Sequence, residues 1–109
     1  MNKKCLASPV LVDAVLIKDI VDAAKIDEYE SMPVWVRRAL DDGRLVINAK
    51  GVAVERYQGE ILYGKMSDYL VKGLNNDIIT VKSTMFSVYY SVVDYKSLNK
   101  QFREESGVI

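Results

Sequence analysis

The sequence contains no histidine and only one cysteine among its 109 residues. Without histidine, Ser-His-Asp and Cys-His catalytic arrangements are excluded, as are the commonest zinc, iron and copper ligand sets. Cys5 has no partner for an intramolecular disulfide or a Cys-x-x-Cys redox pair, and its position near the terminus predicts an unreactive thiol. The sequence therefore predicts a protein that is not an enzyme and that uses no metal and no cofactor, with a magnesium site made only of carboxylates as the alternative left open.

Two kinds of functional segment are also missing. The chain has no glycine-rich phosphate loop of the P-loop or dinucleotide type. No apolar run approaches the length of a membrane-spanning helix, and Asp13 interrupts the first apolar stretch before it reaches the length of a secretion signal. We therefore expect a cytoplasmic protein without a membrane partner.

The overall charge is balanced, because fifteen Lys and Arg face fifteen Asp and Glu. A chain with no global basic field gives no support for direct nucleic-acid binding. Half of the residues are hydrophobic, and a chain of this length is large enough to bury a core without disulfides. We expect one domain over residues 1–109.

The first 43 residues combine one buried strand with two short helices. β-branched and aliphatic residues at 10–17 predict a central strand. Apolar residues then recur at helical spacing from 17 to 24, which predicts an amphipathic helix. Pro33 fits the first turn of a second helix that ends near Asp42, and Gly43 suits its left-handed C-cap.

Between residues 44 and 93 the hydrophobic period changes to two, with Gly and Asn between short runs. Such close turns leave no room for crossover helices, so we expect antiparallel hairpins or a meander, with curling toward a small barrel as an alternative. The predicted strands are 44–49, 52–58, 60–64, 69–72, 77–82 and 87–93. Apolar residues at helical spacing predict a terminal helix over 94–109. The predicted fold class is α+β.

The most distinctive motif is the heptapeptide Ser-Asp-Tyr-Leu-Val-Lys-Gly at 67–73. It resembles the Gly-Asp-Tyr-Ile-Ile-Lys-Gly signature of small phage and prophage proteins of the PGDYG type, and residues 9–15 resemble the first strand of that family. Ser67 stands where the family usually has Gly, and Ser83 where it usually has Pro. The resemblance implies a gene of a bacteriophage, prophage or mobile element, in a family whose members mostly lack an assigned function.

The motif also has a structural interpretation. Asp68 and Gly73 suit the ends of turns, Tyr69 suits a strand face, and Ser83 suits the N-cap of a one-turn helix. We expect these residues to serve the fold, because a local pattern usually reports structure rather than chemistry.

Acidic residues are concentrated near the N-terminus, where those between Asp13 and Glu30 outnumber Lys18 and Lys25. Charge opposite an apolar helical stripe is usually a solvated face. The functional alternative is an acidic patch that occupies a basic nucleic-acid channel of another protein. The candidate partner-binding residues in this stretch are Asp19, Asp22, Asp27, Glu28 and Glu30.

The seven tyrosines are the second unusual feature. Tyrosines on alternating strands can pack across the sheet, anchor a protein interface, or stack on bases beside basic residues. Packing is the simplest explanation, because the flanking charges do not add up to a basic groove. The remaining candidate partner-binding residues are Arg37, Arg38, Tyr57 and Tyr63.

Three functions remain open. The first is a non-catalytic phage protein that binds a bacterial host protein, most concretely as an inhibitor of a defence nuclease such as a CRISPR effector. The second is an accessory or structural phage domain that forms a homo-oligomer or binds virion proteins. The third is a protein that sequesters a nucleotide signal, which requires cations that converge on phosphate. The candidate cations are Arg37, Arg38, Arg44, Arg56 and Lys72.

Overall fold

The computed structural model describes residues 1–7, 10–73 and 75–92. In the described part of the chain, three helices combine with eight strands, which confirms the predicted α+β class. The helices are α1 (Ile17–Lys25), α2 (Val34–Asp41) and α3 (Ser83–Tyr89). The strands are β1 (Lys3–Ala7), β2 (Val10–Leu16), β3 (Leu45–Asn48), β4 (Gly51–Glu55), β5 (Ile61–Lys65), β6 (Tyr69–Lys72), β7 (Ile78–Val81) and β8 (Ser91–Val92).

The strands form two antiparallel sheets. The larger sheet has the order β7-β6-β2-β1-β8, so the predicted central strand does lie at its centre. The smaller sheet is the meander β3-β4-β5, in which Val46 pairs with Ala53 and Ala53 pairs with Tyr63. The first and last described strands therefore belong to the same sheet, although they are far apart in sequence.

The main core lies between the two sheets. Val15 and Leu70 of the large sheet and Val52 and Val54 of the small sheet are almost fully buried in one cluster with α1. Helix α1 contributes Ile17, Ile20, Val21 and Ala23 to this cluster. The apolar spacing predicted the same buried face, except that it placed Ala24 there rather than Ala23. Burial of such aliphatic side chains contributes about 1.5–3 kcal/mol each.

The opposite face of the large sheet is covered by α3 through aromatic stacking. The Phe86 ring stacks on Tyr69, with centroids 3.8 Å apart, and on Tyr90, with centroids 5.1 Å apart. Cys5 is buried in the same cluster. Two of the six tyrosines in the described part of the chain therefore pack against the core, through stacking on a helix rather than across strands, and the other four are exposed.

The turn around Asp68, between β5 and β6, is hydrogen-bonded to the start of α1. The backbone N–H groups of Ile17 and Lys18, which begin α1, donate to the carbonyls of Asp68 and Met66, both at 3.0 Å. The Asp68 carboxylate is buried and accepts the Lys65 N–H at 3.0 Å. Asp68 thus satisfies one unpaired donor at the start of α1, that of Ile17, and closes a turn, and the turn is the structural role expected from its position.

Helix α1 ends in a Schellman motif that uses an aspartate. The Asp27 N–H donates to Ala24 and the Glu28 N–H donates to Ala23, while Asp27 adopts a left-handed φ of 56°. Glycine is usual at this position, and Asp is one of the few other residues that tolerate it. The motif directs Asp27 and Glu28 away from the helix axis into the solvent.

Several predicted boundaries were wrong. The strand expected at 87–93 begins as helix, because α3 continues to Tyr89, and only Ser91–Val92 pair as a strand. Residue Lys82, rather than Ser83, is the N-cap of α3, and this helix is longer than one turn. The strand expected at 52–58 ends at Glu55, and the early strand β1 was not predicted. The helix predicted over 94–109 lies outside the described residues.

Gly51 and Gly64 allow close packing within the small sheet. Gly51 has a φ of 152°, and a Cβ atom there would overlap the carbonyl oxygen of Gly64. A Cβ atom at Gly64 would in turn overlap Cδ1 of Ile17 and come within 3.0 Å of Cγ2 of Thr80. Gly64 thus allows the small sheet to approach α1, and Gly51 allows β4 to approach β5.

We predict that Gly51→Ala lowers the free energy of unfolding by about 3 kcal/mol, through backbone strain and overpacking. Urea denaturation followed by circular dichroism measures this change. Gly73→Ala is the matched control, because a Cβ atom there meets nothing within 4 Å, and it should change stability by less than about 0.5 kcal/mol. Equal stability of the two variants would contradict the close packing.

Candidate functional site

A row of charges crosses the large sheet at Asp13. Asp13 pairs in register with Lys4 of β1 on one side and with Lys72 of β6 on the other. Its carboxylate is almost fully buried, forms an ion pair with Lys4, and lies 3.7 Å from the Lys72 Nζ atom. A buried carboxylate requires such partners, because the loss of hydration is otherwise uncompensated.

Asn2 extends this row to helix α2. The Asn2 side chain donates to Asp13 at 3.0 Å and accepts the Trp35 Nε1–H at 3.0 Å. Burial acts to raise the pKa of Asp13, but the hydrogen bonds from Lys4 and Asn2 and the charges of both lysines outweigh it, so its pKa lies below the ordinary value. Asp13 is therefore structural and does not contribute to the acidic surface expected from the stretch 13–30.

The other acidic residues do share one surface. Asp19, Asp22 and Glu28 line a shallow depression between α1 and the following turn, and Asp27 and Glu30 are exposed beside it. Lys18 forms an ion pair with Asp22 at 2.6 Å, which lowers the pKa of Asp22. We call this surface the acidic face.

The acidic face has an apolar centre that the sequence did not reveal. Ile26, which is 63% exposed, and Met1, which is 43% exposed, line the same depression as the carboxylates. Ile26 follows α1 directly as its C-cap, so the turn that projects Asp27 also leaves Ile26 in the solvent. Large exposed apolar side chains enclosed by charge are typical of interaction surfaces.

The other candidate residues are divided between two further surfaces. Arg38 and Tyr57 line two adjoining cavities beside the β6–β7 hairpin. Arg37 is half-buried on α2 and does not line these cavities. Tyr63 is 74% exposed on the outer face of the small sheet, next to Lys50, Lys65 and Lys82. The structure therefore does not bring all the candidate partner-binding residues into one site.

The two cavities adjoin each other, because both are lined by Arg44, Asn76 and Ile78, and we call the pair the groove. One half lies along α2 and also contains Arg38, Lys72 and Trp35. The other half contains Arg56, Tyr57 and Asp77. Four of the five cations proposed for a phosphate ligand are thus brought to this groove, with Arg37 as the exception.

The Cys5 thiol is buried among apolar side chains of the large sheet and α3. Burial raises the pKa of the Cys5 thiol above its ordinary value, which disfavours the reactive thiolate. Within residues 1–7, 10–73 and 75–92, no three His, Cys, Asp or Glu side chains are arranged to hold a metal ion. In the same part of the chain, no helix is both long and apolar enough to cross a bilayer.

Comparison with known proteins identifies no relative. No family model, no curated protein and no solved structure matches the chain. The resemblance to the PGDYG-type phage proteins therefore stays a prediction from the motif at 67–73.

We predict that Asp13→Asn lowers the free energy of unfolding at neutral pH by about 1–3 kcal/mol, because Lys4 and Lys72 lose a buried charged partner. The pKa of Asp13 lies below its unfolded value, so its stabilisation is present above the unfolded pKa, about 3.9, and is lost as the pH falls through the folded pKa. Urea denaturation at neutral and acidic pH tests this expectation.

The stability difference between the wild type and Asp13→Asn should therefore narrow in acid. Asp41→Asn serves as the control, because Asp41 is exposed on α2 and its substitution should have little effect at either pH. A stability difference that stays constant from neutral to acidic pH would show that the charge of Asp13 is not responsible.

Proposed function

We propose that this chain is a non-catalytic binding protein that attaches to a basic surface of a protein partner through its acidic face. The observation that supports this most directly is the arrangement of Asp19, Asp22 and Glu28 around the exposed side chains of Met1 and Ile26. An apolar centre with a charged rim is the usual anatomy of a protein–protein interface. Carboxylates alone would also be consistent with a solvated helix face.

The partner is expected to be basic, because the acidic face retains most of its charge. Lys18 pairs with Asp22, but none of the ion pairs found within the described residues involves Asp19, Asp27, Glu28 or Glu30. Unpaired surface carboxylates attract an approaching positive surface and increase its rate of association. A channel that binds nucleic-acid phosphates is such a surface.

In the most concrete form of this proposal, the partner is a bacterial defence nuclease of the host, such as a CRISPR effector. The chain itself then comes from a phage or mobile element. The motif at 67–73 supports the origin, and the acidic face supports competition with nucleic acid for a basic channel. Such an inhibitor acts in the cytoplasm of the host cell. Direct binding of nucleic acid to the acidic face is not expected.

We predict that Asp27→Asn/Glu28→Gln weakens capture of the partner from a bacterial host lysate by about fivefold, since an exposed ion pair contributes up to about 1 kcal/mol. Asn tolerates the left-handed conformation of Asp27, so the turn should be retained. The bound proteins are identified and quantified by mass spectrometry after pull-down. Purified partner is then tested for inhibition of its nuclease activity by the wild type.

The control is Asp41→Asn/Glu55→Gln, which removes the same charge from exposed residues outside the acidic face. This control should capture the partner as the wild type does, and added salt should weaken wild-type capture. Equal loss in both variants would indicate a nonspecific charge effect. Capture of no host protein above background would count against a host partner.

A second function, self-association, is supported by the outer face of the small sheet. Val46 and Tyr63 lie on either side of Ala53 in one cross-strand row, and Ile61 lies nearby on β5. Val46 is 56% exposed, Ile61 is 51% exposed and Tyr63 is 74% exposed. Such a face fits an accessory or structural phage domain that forms a homo-oligomer or binds virion proteins.

We predict that, if this second function holds, light scattering shows a mass that rises with protein concentration for the wild type but not for Val46→Thr/Tyr63→Ser. Both substitutions are at exposed positions, so the fold should be retained. Val88→Thr is the control, because Val88 is 70% exposed on α3, outside the small sheet, and it should associate as the wild type does. A concentration-independent monomer would contradict self-association.

A further inference from the structure

The groove beside the β6–β7 hairpin has the size of a small-molecule site. Its two halves have volumes of about 350 and 370 Å³ and share Arg44, Asn76 and Ile78. Each half reaches the range of about 300–1,000 Å³ that is typical of ligand pockets. The groove is separate from the acidic face, with which it shares no lining residue.

The first half of the groove is cationic. Arg38, Arg44 and Lys72 line it together with a single carboxylate, that of Asp42. They come from α2, from the turn that follows it and from β6, so folding alone brings them together. Convergent arginines are suited to phosphate, because the guanidinium group donates hydrogen bonds in a fixed planar arrangement.

These cations remain available to a ligand. Arg44 reaches Asp42 only at 3.4 Å, and both side chains are largely exposed. Lys72 is 3.7 Å from Asp13, whose nearer partner is Lys4. None of the ion pairs found within the described residues involves Arg38. An incoming phosphate would therefore displace only a weak contact at Arg44 and no ion pair at Arg38, while Lys72 would add its charge from its place beside Asp13.

The second half of the groove is suited to a planar group. Tyr57 is 85% exposed at its margin, and Val54 and Ile78 provide apolar surface. Arg56 is fixed there by Asp77, to which it donates hydrogen bonds at 3.3 and 2.8 Å. The amides of Asn75 and Asn76 and the carboxylate of Glu55 line the same half. Aromatic and guanidinium planes stack on bases, and amides recognise the edges of bases.

We propose that the groove binds a mononucleotide, with its phosphate at Arg38, Arg44 and Lys72 and its base in the half lined by Tyr57. The juxtaposition of a cationic half and an apolar, amide-lined half distinguishes a nucleotide from inorganic phosphate or an acidic peptide. This ligand site does not depend on the proposed protein partner, because the acidic face contributes nothing to it.

Isothermal titration calorimetry with AMP, GMP, CMP and UMP tests the proposal, with the corresponding nucleosides and inorganic phosphate as separate probes. We expect at least one mononucleotide to bind more tightly than its nucleoside and more tightly than phosphate. Arg38→Gln should weaken this binding by about tenfold through loss of a charged phosphate contact. Tyr57→Ala should weaken the nucleotide while leaving the response to phosphate unchanged.

Lys50→Gln is the control, because Lys50 is an exposed cation beside Tyr63, outside the groove. It should bind the nucleotide as the wild type does. Binding lost in Lys50→Gln but retained in Arg38→Gln would place the anion on the lysine-rich surface and overturn the proposal. The absence of binding by all four nucleotides, or phosphate binding as tightly as any of them, would also overturn it. Circular dichroism verifies that each variant is folded.

Discussion

The buried carboxylate of Asp13 is the constraint on which much of the remaining structure depends. It joins β1 to β6 through Lys4 and Lys72, and Asn2 connects it to Trp35 of α2. A carboxylate in this position is stabilised only while its partners stay in place, so the strand register and the position of α2 are coupled. Lys72 and Trp35 also line the groove, so a structural requirement also sets the geometry of the proposed nucleotide site.

Some helices and strands could be predicted from local sequence, because their hydrophobic pattern is complete within a few residues. The aliphatic run of β2, the helical spacing of α1 and Gly43 after α2, with a φ of 75°, all appear as expected. The segment 87–93 was wrongly predicted as a strand, because Val, Tyr and Ser alternate there in a pattern that favours strands. There the stacking of Phe86 between Tyr69 and Tyr90 stabilises a helix, and its contact with Tyr69 joins residues distant in sequence. Tertiary packing therefore outweighed intrinsic propensity.

The two proposed binding surfaces differed in how far they could be predicted. The acidic face is formed by residues 19 to 30, so the sequence displayed most of it directly, apart from the apolar centre at Ile26 and Met1. The groove combines residues from 34 to 78, and its cations are separated by long stretches of chain. The sequence suggested Arg38, Arg44, Arg56 and Lys72 as candidate cations, but it could not show that they lie together. The convergence depends on the pairing of β6 with both β2 and β7.

The net charge of zero gives no indication of either surface, because opposite charges cancel when they are summed over the whole chain. Electrostatic interactions between exposed groups are screened over about 8 Å at physiological ionic strength, so a ligand responds to the charges nearest to it. The acidic face and the cationic groove can therefore attract ligands of opposite sign on one neutral protein. Screening also limits the binding specificity that charge alone can provide. The apolar contacts at Ile26 and at Tyr57 must then supply the specificity that short-range packing provides.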